Sequence, residues 1–247
     1  MEYGEFVHRN LLRVRERIAE AAIRAGRDPA EITLVAVTKT FSVRTILLGY
    51  DLGLRHFGEN RPEEGAEKIP QVNATVDGPR PTWHMVGHVQ SRKARLTVAH
   101  FDVVHSVDRL KIARRLSRFA VEAGRVIPVL LECNVSGEAT KFGFPMDRWQ
   151  RDEAQREAFF AACAEILTLP GLRVEGLMTM APIVEDPEEV RPVFAGLRAL
   201  RDALAEQFPQ ATWRELSMGM TDDFEVAVEE GATMVRIGRA IFGPRPT

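Results

Sequence analysis

Lysine is scarce in this chain. Of the 33 basic residues among 247, 28 are Arg and only five are Lys: Lys39, Lys68, Lys93, Lys111 and Lys141. A lysine where arginine would serve points to a chemical reason. A primary amine can lose its proton and condense with a carbonyl, and a guanidinium cannot. A charge excess is also missing: 33 basic residues face 35 acidic ones, a net charge of −2. That balance gives nucleic acid nothing to hold, so such partners are disfavoured. The only cysteines are Cys133 and Cys163, without CxxC spacing. They support neither a disulfide framework nor a zinc site, and a reducing, cytoplasmic setting is the expectation. No uncharged apolar stretch approaches the roughly 20 residues of a membrane span. Met1–Asn10 is charged and has no apolar core, unlike a signal peptide. Repeats, low-complexity tracts and linkers are absent, which leaves one domain over 1–247 as the expectation.

Short apolar runs alternate with longer amphipathic ones. The strand-like runs are Ile32–Lys39, His56–Glu59, Thr82–Gly87, Asp102–Asp108, Val126–Val135, Leu172–Met180, Trp213–Gly219 and Met234–Gly243. Several are almost wholly apolar, as parallel strands covered on both faces are. Helical patterns fill the gaps near 43–53, 60–76, 91–99, 109–124, 147–167, 191–207 and 222–231. In the sixth of these, Val193, Leu197, Leu200 and Leu204 form an apolar stripe, and Pro192 suits its first turn. Asp222 with Glu225 reads as a capped helix start. The pattern predicts an α/β fold, a (β/α)8 TIM-like barrel. An eighth helix has no room after the last run, so an extra N-terminal helix over 5–25 is expected to cover the last strand. Leu11, Val14, Ile18, Ala21 and Ala25 mark its buried face, and Gly26 its end.

In such a barrel the site lies where strands end and βα loops begin. The first run ends in Lys39, either a charged residue that stops a strand or an amine made nucleophilic by partly apolar surroundings. After the second come Gly58 and Asn60; Asn60 suits a helix cap as well as a ligand contact. His84 and His88 are four apart, but Gly87 between them argues for a strand, and a metal site drawn from His56, His84, His88 and His105 is disfavoured. His84 reads either as a hydrogen-bonded structural histidine or as one lining the barrel near a ligand ring. Lys141, in the polar loop after the fifth run, is either solvated or in touch with a carbonyl ligand. Loops after strands seven and eight commonly bind phosphate in barrels. There Ser217 offers a hydroxyl, and Gly219 and Gly238 allow backbone amides to approach an anion. Asp222 and Asp223 would repel a phosphate from the following helix start, so the loop amides and Ser217 are the expected ligands. Arg236 and Arg239 are three apart, so only one should enter the barrel. A strand-one lysine, a phosphate cup at strands seven and eight and an arginine between them outline a pyridoxal phosphate site.

The runs Leu34–Thr40, Phe57–Arg61, Trp83–Gln90, His105–Arg109, Asn134–Gly143, Gly176–Met180 and Ser217–Gly243 together resemble the pyridoxal phosphate homeostasis protein family, which is similar to the barrel domain of alanine racemase. The last run, SMGMTDDFEVAVEEGATMVRIGRAIFG, is the most specific. The resemblance implies the cofactor pyridoxal 5'-phosphate, bound as an internal aldimine on Lys39. It further implies Ser217, Met218, Gly219 and Gly238 around the phosphate, Arg236 facing the pyridine nitrogen and Asn60 near the ring. Family members often carry another lysine just after the Schiff-base residue, where this chain has Thr40-Phe41.

Two arguments favour a carrier over an enzyme. An arginine at the pyridine nitrogen does not readily yield a proton, so the ring is a poorer electron sink. A two-base racemase needs a second acid/base group, and the only tyrosines, Tyr3 and Tyr50, fall in helices away from the mouth. The expected function is therefore to carry and buffer pyridoxal phosphate with little or no turnover. The expected partners are the cofactor and pyridoxal phosphate-dependent apoenzymes, with no membrane partner, and the expected state is a monomer. The alternatives are a pyridoxal phosphate-dependent racemase or lyase, a cofactor-free phosphosugar enzyme, and a scaffold.

Overall fold

The computed structural model describes residues 3–245. It begins with α1 (Tyr3–Arg24), followed by β1 (Thr33–Val37), α2 (Val43–Asp51), β2 (His56–Glu59), α3 (Pro62–Thr75), β3 (Thr82–Met85), α4 (Ala94–His100), β4 (Val103–Val107), α5 (Leu110–Glu122) and β5 (Ile127–Asn134). The second half runs β6 (Phe144–Pro145), α6 (Glu153–Leu167), β7 (Leu172–Met178), α7 (Arg191–Gln207), β8 (Glu215–Ser217), α8 (Phe224–Glu229), β9 (Met234–Ile237) and α9 (Arg239–Phe242). Apart from β6, the strands pair in parallel in the order β4-β3-β2-β1-β9-β8-β7-β5, and β4–β5 pairing closes the ring. This is the eight-stranded barrel that the alternating runs predict. The two-residue β6 is an extra piece that pairs Phe144 and Pro145 with Cys133 and Asn134 at the end of β5.

The main apolar core lies between strands and helices, with Phe57, Trp83, Phe101, Phe194, Trp213 and Phe242 among its largest buried side chains. The barrel interior holds a separate small cluster of Leu130, Met178 and Met234, with Met180 packed on it. Helix α1 buries Leu11, Val14, Ile18 and Ala21 and packs on α8 and α9. Its Asn10 donates to the Ile241 carbonyl, and Arg17 and Arg24 pair with Glu225 and Glu229 of α8. It therefore covers the flank of the last strand, as expected, and the chain beyond it turns at Gly26, φ 67°.

Several boundaries differ from the sequence reading. The last strand ends at Ile237 and the chain turns into α9, so residues 239–242 are helical where a strand was expected, and a short closing helix does exist. The run from Ile237 to Phe242 is apolar enough to suit either state, and periodicity cannot separate them over so few residues. Helix α6 starts at Glu153, not 147, because the Asp152 side chain caps it by accepting from the Gln155 amide. Helix α8 starts at Phe224, and Asp222 and Glu225 make no capping box; Asp223 instead accepts from the Met220 amide, 2.5 Å, within the preceding loop. Asn60 caps nothing either: Arg61 precedes α3, whose first turn opens with Pro62.

Candidate functional site

Period-two alternation carries Val35, Val37 and Lys39 to one face of the first strand and its extension. Val37 and Lys39 both line a cavity of about 450 Å³ at the C-terminal mouth of the barrel, within the range of roughly 300–1,000 Å³ usual for small ligands. Asn60, Val86 and Met180 form its walls, and Phe41 and Ile183 its rim. Beside β1, Arg236, Gly238 and Arg239 on β9 and α9 continue the lining, followed by Met220, Thr221 and Asp222 after β8. A more open hollow of about 540 Å³ lies on the other side of Phe41, lined by Tyr3, Ser42, Glu64, Glu67 and Lys68. It holds neither Lys39 nor Arg236, so the smaller cavity is the candidate site.

Burial pushes the Lys39 amine below the usual lysine range, and the nearby Arg245 guanidinium adds to this. Glu59 and Glu64 act the other way. The net shift increases the share of neutral, nucleophilic amine at pH 7. Arg236 is 5% exposed and donates through Nη1 to Ser217 Oγ (2.6 Å) and through Nη2 to the Thr179 carbonyl (2.8 Å). Burial lowers it to about 10, against the stabilising charges of Asp223 and Glu132, so it stays cationic at neutral pH. Arg239 instead reaches solvent and pairs with Asp222. Arg236 is the buried one of the two, and Arg239 reaches the cavity from its exposed side because it sits on α9, not on the strand.

Beneath Arg236 runs a file of polar side chains across the barrel interior. Ser217 Oγ lies 2.8 Å from His105 Nδ1, His105 Nε2 lies 2.8 Å from His84 Nδ1, and His84 Nε2 lies 3.0 Å from His56 Nδ1. Donor bookkeeping orders their protons. A guanidinium only donates, so Ser217 accepts from Arg236 and gives its own proton to His105 Nδ1. Neutral His105 then carries its proton on Nε2 and passes it to His84 Nδ1, and His84 does the same for His56. Burial keeps all three rings neutral: His84 falls to about 3, and His105, which also faces His84 and Arg236, lies well below its usual value. The expected result is an ¹⁵N spectrum with Nε2–H tautomers for His56, His84 and His105. Neither His84 nor His105 should titrate as the pH falls from about 7 to about 5. An Nδ1–H ring, or a titration in that range, contradicts this order.

The linked stability has a definite sign. Unfolded imidazoles bind protons below about 6.5, so rings held neutral withdraw stability as the pH falls below that value. Glu59 and Glu132 run the other way. Burial raises each to about 7 from an ordinary 4.5, so they add stability as the pH falls between those values. Glu132 is 3% exposed, its Oε2 has no hydrogen-bond partner among the described residues, and its charged neighbours are Asp108, Arg236 and Arg109.

Of the expected ligand residues, the structure brings Lys39, Asn60, Arg236 and Gly238 together around one cavity. It sets the others below or beside the lining. His84 is 1% exposed in the middle of the file, and Ser217 is fully buried and engaged by Arg236 and His105. The Met218 amide bonds to the Met234 carbonyl. Gly219, φ 91°, is required for packing: a Cβ there would stand 2.6 Å from Ala227 Cβ. Thr221 lines the cavity where Ser217 was expected, and its hydroxyl accepts from the Ala240 amide (3.4 Å). Lys141 lies outside the lining, 3.9 Å from Glu138, while its neighbour Phe142 stacks on His88. Neither tyrosine lines the cavity: Tyr3 bonds to the Phe242 carbonyl and Tyr50 to the Pro79 carbonyl. Among the described residues no group of His, Cys, Asp and Glu could hold a metal ion, and no helix is long and apolar enough to cross a membrane. Glu132, Thr179 and Thr221 were not anticipated, and Asp223 was expected only to repel a phosphate, not to face Arg236; alternation along β5 would have flagged Glu132 beside the interior Leu130.

The alanine racemase N-terminal domain family matches residues 10–246. The pyridoxal phosphate homeostasis protein of Escherichia coli strain K12 is 41% identical over 244 residues, covering 96% of this chain and 95% of that one. Its namesake in Aquifex aeolicus is 40% identical, covering 95% and 96%. Among solved structures, PipY of Synechococcus elongatus with pyridoxal phosphate bound superposes with a TM-score of 0.77 at 36% identity, covering 93% of this chain and all of that one. Alanine racemase of Clostridium difficile shares the fold at 16% identity and a TM-score of 0.71; the match covers 98% of this chain and 58% of the racemase.

Proposed function

This chain belongs to the pyridoxal phosphate homeostasis protein family, and from that premise we propose that it holds pyridoxal 5'-phosphate in the mouth cavity and buffers its supply. Lys39 Nζ would hold the cofactor through its aldehyde, and the bound group would supply a reversible covalent link. Every other role falls to the chain. Burial and Arg245 keep part of the Lys39 amine unprotonated. Val37, Val86 and Met180 offer apolar walls to a ring, and Asn60 a polar contact at its edge. The backbone amides of Thr221 and Asp222, with Gly238 and the Arg239 guanidinium, suit a phosphate group, and Arg236 remains a charged donor toward a ring nitrogen.

The observation that carries this reading is a depressed lysine amine and a buried arginine facing one cavity, with no Tyr or His among the described residues of the lining to act as a second acid/base. A two-base racemase would need that group. The same reading makes the protein a cytoplasmic monomer that yields its cofactor to apoenzymes. The test is the absorption spectrum with added pyridoxal phosphate, before and after borohydride. A visible band that borohydride abolishes, a reduced adduct mapped to Lys39, and loss of both in Lys39→Ala are expected. Equal binding by Lys39→Ala, without any such band in the parent, would falsify the covalent store.

A further inference from the structure

We infer that the Glu64–Lys68 pair of α3 is a positioning clamp for Lys39: it grips the main chain on both sides of that residue and fixes Thr40 in a left-handed backbone, which aims the lysine into the cavity. The inference rests on the reading of Lys39 as the attachment residue.

Thr40 is one of two non-glycine residues with positive φ among the described residues, at 69°. A β-branched side chain avoids that region, and outliers of this kind persist only where the surroundings over-determine them. Here the surroundings are visible. The Thr40 amide donates to Glu64 Oε1 (2.5 Å), immediately after Lys39. Lys68 Nζ donates to the Thr38 carbonyl (3.0 Å), immediately before it. The two grips are joined, because Lys68 also bonds to Glu64 (2.5 Å) one helical turn away. Its third donor goes to Glu59 (3.2 Å), which also takes the Thr38 hydroxyl proton (2.7 Å). An ammonium has three N–H groups, and all three are spent on holding the end of β1 against α3 and β2. Lys68 is 8% exposed and Glu59 fully buried, so this is no solvated surface pair. A compact ammonium meets three converging acceptors where a planar guanidinium would not, which accounts for a second of the five lysines.

Glu64 also acts on Lys39 through space, where its charge holds the amine up. The two roles predict opposite results when the carboxylate is removed. As a pure charge effect, Glu64→Ala lowers the midpoint of the Lys39 amine. As a clamp, Glu64→Ala frees Thr40, lets Lys39 swing to water and raises the midpoint toward the ordinary lysine value.

The experiment uses cofactor-free full-length chain, reductively methylated with ¹³C-formaldehyde, and follows the Lys39 resonance against pH; pyridoxal phosphate affinity is measured in parallel. The clamp predicts a raised midpoint and about tenfold weaker affinity in Glu64→Ala, the scale expected for a slightly misplaced reacting group. Glu64→Gln keeps an acceptor for the Thr40 amide and should stay within about threefold in affinity, with no rise in midpoint. Adding Thr40→Asn to Glu64→Ala should bring the midpoint back to or below the parent value, because Asn adopts left-handed backbone readily. A midpoint that falls or stays put in Glu64→Ala overturns the proposal, as does a double variant no better than the single. Should Glu64→Ala not fold, Thr40→Pro asks the same question, since proline has neither positive φ nor an N–H; a parent-like midpoint there also overturns it. If the parent binds no pyridoxal phosphate while the midpoints shift as stated, the functional reading fails and the clamp stands.

Discussion

Arg236→Met is expected to destabilise the protein by about 3 kcal/mol, the lower end of what removing one partner from a buried charge arrangement costs. For a chain of this size that is a fall in Tm of roughly 6–12 °C. The guanidinium is buried, satisfies Ser217 Oγ and the Thr179 carbonyl, and offsets the charges of Asp223 and Glu132. Methionine fills the volume and does none of this. Glu132 is already raised to about 7 with Arg236 present. Without it the carboxyl rises further, so the fold binds a proton that the unfolded chain releases above about 4.5. The penalty therefore grows as the pH rises, and the variant should lie nearer the parent at about pH 5 than at about pH 8. Thermal unfolding at the two pH values checks this, and a pH-independent difference contradicts it. The exposed Arg239→Met should change stability by less than about 0.5 kcal/mol.

Gly176→Ala is expected to be at least as damaging, by about 4 kcal/mol or more, or to prevent accumulation of soluble protein. A Cβ at this position would stand 1.8 Å from the Glu215 carbonyl oxygen and 2.6 Å from its carbon, both backbone atoms that cannot rotate away. Gly176 pairs with Glu215 in register, two residues before Met178 pairs with Ser217. A wedge there separates β7 from β8. The two anchors of Arg236 lie on either side of that seam, the Thr179 carbonyl just beyond β7 and Ser217 on β8. The variant should therefore lose cofactor affinity along with stability. Tm and pyridoxal phosphate titration test it; a soluble Gly176→Ala with Tm within about 2 °C of the parent opposes the argument.

The ring of strands was readable because eight apolar runs alternate with amphipathic ones, and few architectures bury so many nearly all-apolar strands. The lysine census together with strand-end position pointed to Lys39, position alone left Asn60 open and did not separate Arg236 from Arg239, and the family resemblance supplied the roles of Asn60, Arg236 and Gly238. Ser217 and His84 show where that reasoning stops. Alternation can assign a side chain to the interior, but its depth depends on how neighbouring strands are staggered. That stagger, not any local pattern, lines up His56, His84, His105 and Ser217 in one file. The clamp was hidden for a different reason. Glu64 and Lys68 look like an ordinary i,i+4 pair on an exposed helix face, and nothing local reveals that Thr40 and Thr38 lie beneath them.

The seam between α1 and α9 carries one more consequence. Tyr3 bonds to the Phe242 carbonyl and Asn10 to that of Ile241, so the earliest and latest described helices are neighbours in space. A closed ring has no privileged first member. Joining those neighbours by a short tether and cutting the chain at another βα loop would give a reordered gene product with the same wheel of strands and the same pocket at its hub.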